Sequence, residues 1–378
     1  MRIIYLSLAG DYARDILHRL SSNSPGGLLF PKLESLDWRV WSTEISFFPL
    51  FLSPYLQRVT LTADLDKAPE SLLTPLVQMI SLLPTSLEYL SVMCGDREGG
   101  PLGDALSSFS CRCGSLLRGF ETSVPLSEAA INHLMRLPNL SHWAVAQEPP
   151  RIVPASIFPF LESVWLYEPE ALPWLHLLAS RERGALCNGS ASATPHSYTR
   201  ETVKSFECPG TIVDLTFLSS VVKFQNLVIL NIHTDCSTTE NCMFRLTDND
   251  IEDLAASLPR LEDVRLGGPC QSTSCNATVA ALLSMSVRCP DLTVLEIHFN
   301  TQTIVSDIQR LVDGGAGRHK AKCKLRKLMV GCLSLGVGGE DIDTVAMGFN
   351  VIFPCLANFE PWEGGWSQLR SKLAGLRR

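Results

Sequence analysis

LPRLEDVRL, residues 258–266, contains the pattern on which the prediction of the fold rests. Leu261 opens the pattern, and Val264 and Leu266 then alternate with polar residues. Such alternation is typical of a short strand with one buried face. The sequence therefore predicts a strand here, with Val264 and Leu266 directed into the core.

The residues just before this stretch have a helical period. Positions i, i+3, i+4 and i+7 are apolar, namely Ile251, Leu254, Ala255 and Leu258. Together they form one apolar stripe on a helix. Thr247 or Asp248 is a suitable N-cap, and Pro259 favours an end to the helix at the residue before it. One unit of the chain is thus predicted to be a helix, a turn marked by proline and a strand.

The same pattern returns along the whole chain. Its copies, counted from the first apolar anchor of each, begin at residues 33, 56, 87, 117, 140, 161, 203, 227, 261, 292, 325 and 356, and those at 117 and 203 are weaker. Most spacings lie at or above the roughly 20 to 29 residues of a leucine-rich repeat. No unit can bury its apolar edge alone, so neighbouring units must stack. An all-helical solenoid would leave the alternation in the strands without a purpose.

The sequence therefore predicts an α/β fold, a leucine-rich-repeat solenoid. We expect a curved horseshoe with parallel strands on its concave face and helices on its convex face. The solenoid is predicted to cover residues 1–359, starting with a strand at 3–8 and a helix at 11–20. An irregular loop is expected at about 182–200, and residues 360–378 form a C-terminal cap or a tail.

Composition limits the function. The chain has 378 residues, 46% of them hydrophobic, and a formal net charge of -7. That charge does not favour nucleic acid, and no apolar run approaches the roughly 20 residues that span a bilayer. Residues 1–10 lack the pattern of a secretory signal. We predict a cytoplasmic and/or nuclear protein that binds neither nucleic acid nor membrane.

No motif indicates catalysis. The glycine clusters at 314–317 and 336–339 lack the Lys-Ser/Thr of a phosphate-binding loop, and no nucleophile elbow or paired metal-binding histidines occur. The thirteen cysteines match no zinc spacing, so we interpret them as reduced thiols. A disulfide between Cys270 and Cys275 is the alternative. We therefore expect a protein that is not an enzyme and has no cofactor, no metal and no catalytic residues.

The concave face is the expected binding surface. Residue types that anchor protein interfaces fall on it at Arg39, Trp165, Tyr167, His233, Arg265, Glu296 and His298. A structural role is the alternative for these residues. Arg265 and Glu296 could form a cross-strand pair on adjacent repeats, and Trp165 could pack under the long loop.

Copies such as FPKLESL (30–36), LPRLEDV (258–264) and CPDLTVLEI (289–297) resemble the repeats of the F-box/leucine-rich-repeat family, in particular the set found in mushroom-forming fungi. The resemblance implies a substrate receptor of a cullin-RING ubiquitin ligase, in which an F-box binds a Skp-type adaptor and the solenoid holds the substrate. Residues 3–20 already fit a repeat, so we interpret the chain as a copy that lacks the N-terminal F-box.

Two functions follow from this interpretation. The first is substrate recognition within an F-box-type ubiquitin-ligase receptor, with an unknown protein substrate or ligand and with the Skp-type adaptor as a partner only if an F-box exists outside this chain. The alternative is a stand-alone repeat scaffold or inhibitor with no ubiquitin-related role.

Overall fold

The structure is a computed structural model. It describes residues 3–7, 11–23, 27–40, 43–63, 73–94, 100–153, 157–166, 172–180, 203–209, 214–233, 244–267, 276–300, 302–313, 324–330, 339–361 and 367–376. The chain divides into two compact units, residues 1–199 (unit 1) and 200–378 (unit 2). The predicted loop at 182–200 lies outside the described residues.

Unit 1 alternates strands and helices. Its seven described strands are β1 (Ile3–Ser7), β2 (Ser35–Val40), β3 (Arg58–Ala63), β4 (Tyr89–Cys94), β5 (Gly119–Thr122), β6 (His142–Val145) and β7 (Ser163–Leu166). Its α-helices are α1 (Asp11–Asn23), α2 (Leu73–Leu82), α3 (Gly100–Arg112), α4 (Glu128–Leu134) and α5 (Leu172–Ser180), with a 3₁₀ helix at Thr43–Phe51.

Unit 2 follows the same alternation. Its described strands are β8 (Ser205–Pro209), β9 (Ile229–His233), β10 (Asp263–Gly267), β11 (Val294–Ile297), β12 (Lys327–Val330) and β13 (Asn358–Pro361). Its helices are α6 (Leu215–Val221), α7 (Asp248–Ser257), α8 (Val279–Arg288), α9 (Ile304–Asp313), α10 (Gly339–Ile352) and α11 (Ser367–Gly375).

In each unit the strands form a parallel sheet in the order of the sequence. Strands β1 to β7 follow one another in unit 1, and β8 to β13 do so in unit 2. Every strand after β1 begins two residues after one of the predicted anchors, as β10 at Asp263 does after Leu261. The prediction of an α/β leucine-rich-repeat solenoid is therefore confirmed.

The anchors explain why the repeats stack in register. Leu56, Leu87 and Leu117 are buried, and each donates its amide to a carbonyl three residues earlier, which closes a tight turn. The next amides then bond to the turn of the preceding repeat, as Arg118 and Gly119 do to the carbonyl of Glu88, at 2.7 and 3.0 Å. Each turn thereby sets the register of its strand against its neighbour.

An aromatic cluster fills the core beneath β5 to β7. Trp143 lies 5.2 Å from Phe158, 5.7 Å from Trp174 and 6.1 Å from Phe120, between ring centroids. Phe158 has a φ of 45°, a region that residues with a β-carbon seldom occupy. The burial of its ring stabilises this backbone conformation. A repeat pattern of leucines and prolines does not predict such a conformation.

Polar caps connect the helices of neighbouring repeats in unit 2. Thr247 caps α7 in a capping box with Asp250, which confirms the predicted start of that helix. Asp248, in the first turn of α7, accepts hydrogen bonds from the backbone amide and hydroxyl of Thr278, at 2.6 and 2.7 Å. Thr278 in turn caps α8. One carboxylate thus holds two successive N-termini together, where negative charge is favourable.

The six cysteines within the described ranges form no disulfide: Cys111 and Cys355 are exposed, whereas Cys94, Cys113, Cys208 and Cys289 are buried. Burial raises the pKa of Cys94 to about 12 and, although Arg112 opposes the change, that of Cys113 to about 12. Both buried thiols are therefore protonated and unreactive near neutral pH. Cys270 and Cys275 lie outside the described residues.

Maleimide is expected to modify Cys111 in the folded chain at pH 7.5 and to leave Cys113 unmodified, as peptide mass spectrometry would show. Because the folded pKa of Cys113 is raised, its contribution to stability is complete below the ordinary thiol value of 9.0 and is lost as the pH rises toward about 12. Urea unfolding at pH 7 and pH 10 would detect that loss. Equal labelling of both thiols would contradict the buried position of Cys113.

Candidate functional site

Each sheet has one face that carries the residues alternating with the core side chains, which we call the open face. On β3, Val59 and Leu61 are buried in the core, while Arg58 and Thr60 project from the open face. Parallel register aligns these projecting residues in rows across neighbouring strands. The open faces of the two units are described separately.

The open face of unit 1 contains a groove of about 500 Å³. It follows the starts of the strands, and its lining includes Arg58, Tyr89, Arg118, Gly119 and His142. Arg118 pairs with Glu88 at 3.7 Å across adjacent repeats. The groove therefore combines an aromatic ring with both signs of charge, the composition of a protein interface rather than of an apolar small-molecule pocket.

Tyr89 is held in place by three neighbours. Its ring lies against Gly119, where a β-carbon would come within 2.2 Å of the ring. The guanidinium of Arg58 lies 4.7 Å from the ring centroid, a cation–π contact. The Tyr89 hydroxyl donates to the carboxylate of Glu121 on the neighbouring strand. Arg58 and Tyr89 are thus oriented before any partner binds, which lowers the entropic cost of binding.

The predicted residues of unit 1 fall on the same face. Arg39 is exposed at the end of β2, and Trp165 is 37% exposed on β7. Trp165 is aligned with Ala144, and through it with Glu121, in one row. Tyr167 lies outside the described residues. The structure therefore leaves Arg39 and Trp165 accessible on the open face.

Arg265 is the centre of a charged network in unit 2. Its guanidinium donates to both carboxylate oxygens of Asp263, at 3.0 and 2.9 Å. That hydrogen bond, followed by the charges of Asp263, Glu296 and Glu207, raises the pKa of Arg265 against the opposing effect of burial. The direct partner of Arg265 is thus Asp263 on its own strand, while Glu296 acts on it by electrostatic attraction.

Glu296 lies beside Arg265 in the register of β10 and β11, and it is fully buried. On the other side of Arg265, Asn231 donates to the Glu207 carboxylate at 3.0 Å. A buried carboxylate is costly unless a cation or hydrogen bonds compensate it. We therefore infer that Arg265 has a structural role in addition to any role in binding.

The two predicted histidines of unit 2 differ in what the structure describes. His298, one residue after β11, is fully buried, and its ring lies over Gly267, where a β-carbon would come within 2.6 Å of it. The ring of Phe244 lies 6.0 Å away. His233 ends β9 opposite Gly267, but its side chain is outside the described residues.

No family model matches the chain, and no curated protein matches its sequence. Among solved structures it is similar to the crystal structure of an internalin from Listeria monocytogenes, with 12% identity and a TM-score of 0.34 over 87% of this chain and 80% of the internalin. A likeness at that level carries no argument. The assignment of the fold rests on the strands, helices and register described above.

The sequence prediction missed Arg58, Tyr89 and Arg118. It considered the residues around the middle and end of each strand, whereas these three lie at the start of their strands or just before it. A signal was available for Arg58 and Tyr89, because the residue two positions before a projecting residue, here Thr60 or Ser91, projects from the same face, whereas Arg118 stands two positions before the core residue Phe120. The contact of Tyr89 with Gly119 could not be predicted from the sequence, since that glycine belongs to the next repeat.

Within the described residues, no group of three or more histidine, cysteine or acidic side chains could hold a metal ion. Nor is any helix in the described ranges long and apolar enough to cross a membrane. The features that the open faces do present, namely an oriented arginine, exposed aromatic rings and paired charges, are those of a surface that binds protein.

Proposed function

We propose that the chain is a protein-binding leucine-rich-repeat module that binds protein through the open faces of its units, each considered by itself. The observation that supports this most strongly is the arrangement of Arg58 and Tyr89 in unit 1. Arginine and tyrosine are the residue types that most often dominate binding energy at interfaces, and here both are exposed to a groove and held by neighbours.

The proposed surface includes the residues expected from the sequence. Arg39 and Trp165 extend it in unit 1, and Arg265 provides a cation in unit 2. Glu296 and His298 are buried, so in this proposal they support the surface from behind. Tyr167 and His233 belong to it by their positions in the sequence.

We further propose that this binding serves substrate recognition in an F-box-type ubiquitin-ligase receptor. The support is the likeness of the repeats, such as CPDLTVLEI at 289–297, to those of that family. A stand-alone scaffold or inhibitor is the second candidate. Both candidates use the same open face, and they differ in whether a Skp-type adaptor is engaged and whether the partner is degraded.

The binding proposal is tested by comparing two arginine variants. Partners cross-linked to the wild-type chain in its own cells are identified and purified, and their affinities are then measured by calorimetry. Arg58→Ala is expected to weaken binding at least tenfold, because it removes an exposed and oriented cation. Arg136→Ala is the control, since Arg136 is also exposed and lies in the turn after α4. A partner that binds both variants as tightly as the wild type would refute the proposed surface.

The ligase proposal requires a separate measurement. A complex that contains the full chain, a Skp-type adaptor and the identified partner is the expected result, together with faster turnover of that partner in cells. If the partner binds the chain but the adaptor neither joins the complex nor changes the turnover, the scaffold candidate is correct.

A further inference from the structure

A second surface lies at the turns that precede the strands of unit 1. The anchor amides of Leu56, Leu117 and Leu161 each bond to the carbonyl three residues earlier, at 3.1, 3.4 and 3.3 Å. The residue just before each anchor therefore occupies the third position of a tight turn. In these three turns that residue is large and apolar: Tyr55, Leu116 and Phe160.

These three side chains are among the more exposed apolar groups of the unit. Tyr55 is 62% exposed, Leu116 is 55% exposed and Phe160 is 50% exposed. A single exposed apolar residue is ordinary, but these occupy equivalent positions in a repeated turn. We call the three residues the turn stripe.

The register of the sheet aligns the turn stripe. Arg58, Gly119 and Ser163 lie in one row across β3 to β7, and each stripe residue stands three positions before one of them. The turns between them carry the smaller polar residues Ser86 and Asn139. Adjacent strands are about 4.8 Å apart, so the stripe side chains recur about every 10 Å with a gap between them.

Unit 2 uses the same turn position differently. There it holds Asn226, Arg260, Asp291, Lys324 and Cys355. Arg260 donates to Asn226 at 2.8 Å, and Lys324 pairs with Asp291 at 3.1 Å. Neighbouring turns of unit 2 thus bind each other through the polar side chains at this position. In unit 1, Asn139 also binds the preceding turn, where it donates to the Ser115 carbonyl at 2.6 Å, and the larger apolar Leu116 and Phe160 stand on either side of it.

We propose that the turn stripe docks an amphipathic helix of a partner protein. Seven residues of an α-helix rise about 10.5 Å, which matches the distance between alternate turns. Large apolar residues seven positions apart on the partner would enter the gaps at Ser86 and Asn139, between Tyr55, Leu116 and Phe160. An extended strand fits less well, because residues about 10 Å apart along it point to opposite faces.

The charges beside the turn stripe indicate which residue types the flank of the docked helix should carry. The row two residues after the turn positions includes three carboxylates, those of Glu34, Glu88 and Glu162, and one guanidinium, that of Arg118. Arg118 already pairs with Glu88. A helix with lysine or arginine on the side facing this row complements its charge.

The turn stripe borders the groove of the open face, whose lining includes Glu88 and Arg118, so the two proposals are tested with different side chains. Arg58→Ala tests the open face and leaves the turn stripe intact. Leu116→Asp tests the stripe, and aspartate is well tolerated in a turn. Leu215→Asp is the matched control, because Leu215 is 63% exposed in unit 2 and follows the N-cap Asp214 of α6, where an acidic residue is favourable.

The probe is a display library of 21-residue helical peptides whose residues on one face vary among Ala, Leu, Ile, Lys and Glu. A second library of the same length carries proline at every third position and adopts a polyproline helix. Both are selected on the full wild-type chain. We expect enrichment from the helical library of peptides with large apolar residues seven positions apart, flanked by lysine.

The enriched helical peptides are then measured by fluorescence anisotropy. Leu116→Asp is expected to weaken their binding at least tenfold, and Leu215→Asp is expected to leave it unchanged. Three results would overturn the proposal: no enrichment of helical peptides, equal binding to the Leu116→Asp variant, or enrichment from the proline library alone.

Discussion

Replacement of Trp143 by alanine is expected to destabilise unit 1 by about 3–5 kcal/mol, the range for removal of a large aromatic side chain from a core. Trp143 is 1% exposed and lies among Phe120, Phe158 and Trp174. Its loss leaves a cavity that rings fixed in neighbouring repeats fill poorly. It also removes support from Phe158, whose φ of 45° needs compensation.

Two conservative variants make the test specific. The indole nitrogen of Trp174 donates to the Gln147 carbonyl at 2.8 Å, whereas that of Trp143 has no acceptor among the described residues. Trp174→Phe should therefore cost about 1 kcal/mol more than Trp143→Phe. Urea unfolding of the full chain measures all three variants. A cost below about 1 kcal/mol for Trp143→Ala would contradict the close packing of this cluster.

Replacement of Arg265 by methionine is expected to destabilise unit 2 by about 2 kcal/mol. The change removes two charged hydrogen bonds to Asp263 and a positive charge that attracts the buried Glu296. A buried carboxylate that loses its compensating charge costs more than the pair contributed. Arg265 is partly exposed, so the effect is smaller than for a fully buried pair.

Urea unfolding of a double-mutant cycle checks this interpretation. Glu296→Met combined with Arg265→Met should be more stable than Arg265→Met alone, since the second change removes a buried charge that has lost the attraction of Arg265. Arg260→Met, which removes an exposed arginine bonded to Asn226, should cost less than about 0.5 kcal/mol. An Arg265→Met variant as stable as the wild type would show that Arg265 has no structural role.

The expected destabilisation by Arg265→Met complicates the interpretation of binding assays with Arg265 variants. A loss of partner binding in Arg265→Met could arise from the destabilised face of unit 2 rather than from a lost contact. Arg58 is free of this ambiguity, because it is exposed and its partner is the face of the Tyr89 ring. Arg58→Ala is therefore the better variant for testing the proposed surface.

The repeat pattern predicted the strands closely. The anchors Leu33, Leu161 and Leu292 each stand two residues before a strand, because burial of the anchor and closure of the turn are decided within a few residues. The helix at 248–257 was predicted within two residues of its start for the same reason: its cap and its apolar stripe are local.

The candidate site was predicted less well, and the reason is physical. Glu296 and His298 have the sequence positions of projecting residues, yet both are buried. Nothing local distinguishes them from Trp165, which projects in the same way and is exposed. The burial of His298 depends on groups in other repeats, since its ring lies over Gly267, which has no side chain, and near the ring of Phe244.

The sequence by itself determined the repeat unit, the number and order of the described strands, and which residues alternate between the core and the open face. These follow from periodicity and from turns closed over three residues. Only the tertiary structure decided that Tyr89 lies over Gly119, that Arg265 bonds to Asp263, and that Tyr55, Leu116 and Phe160 are exposed at equivalent positions of stacked turns. Most of these relations join residues of different repeats, and stacking alone brings them together.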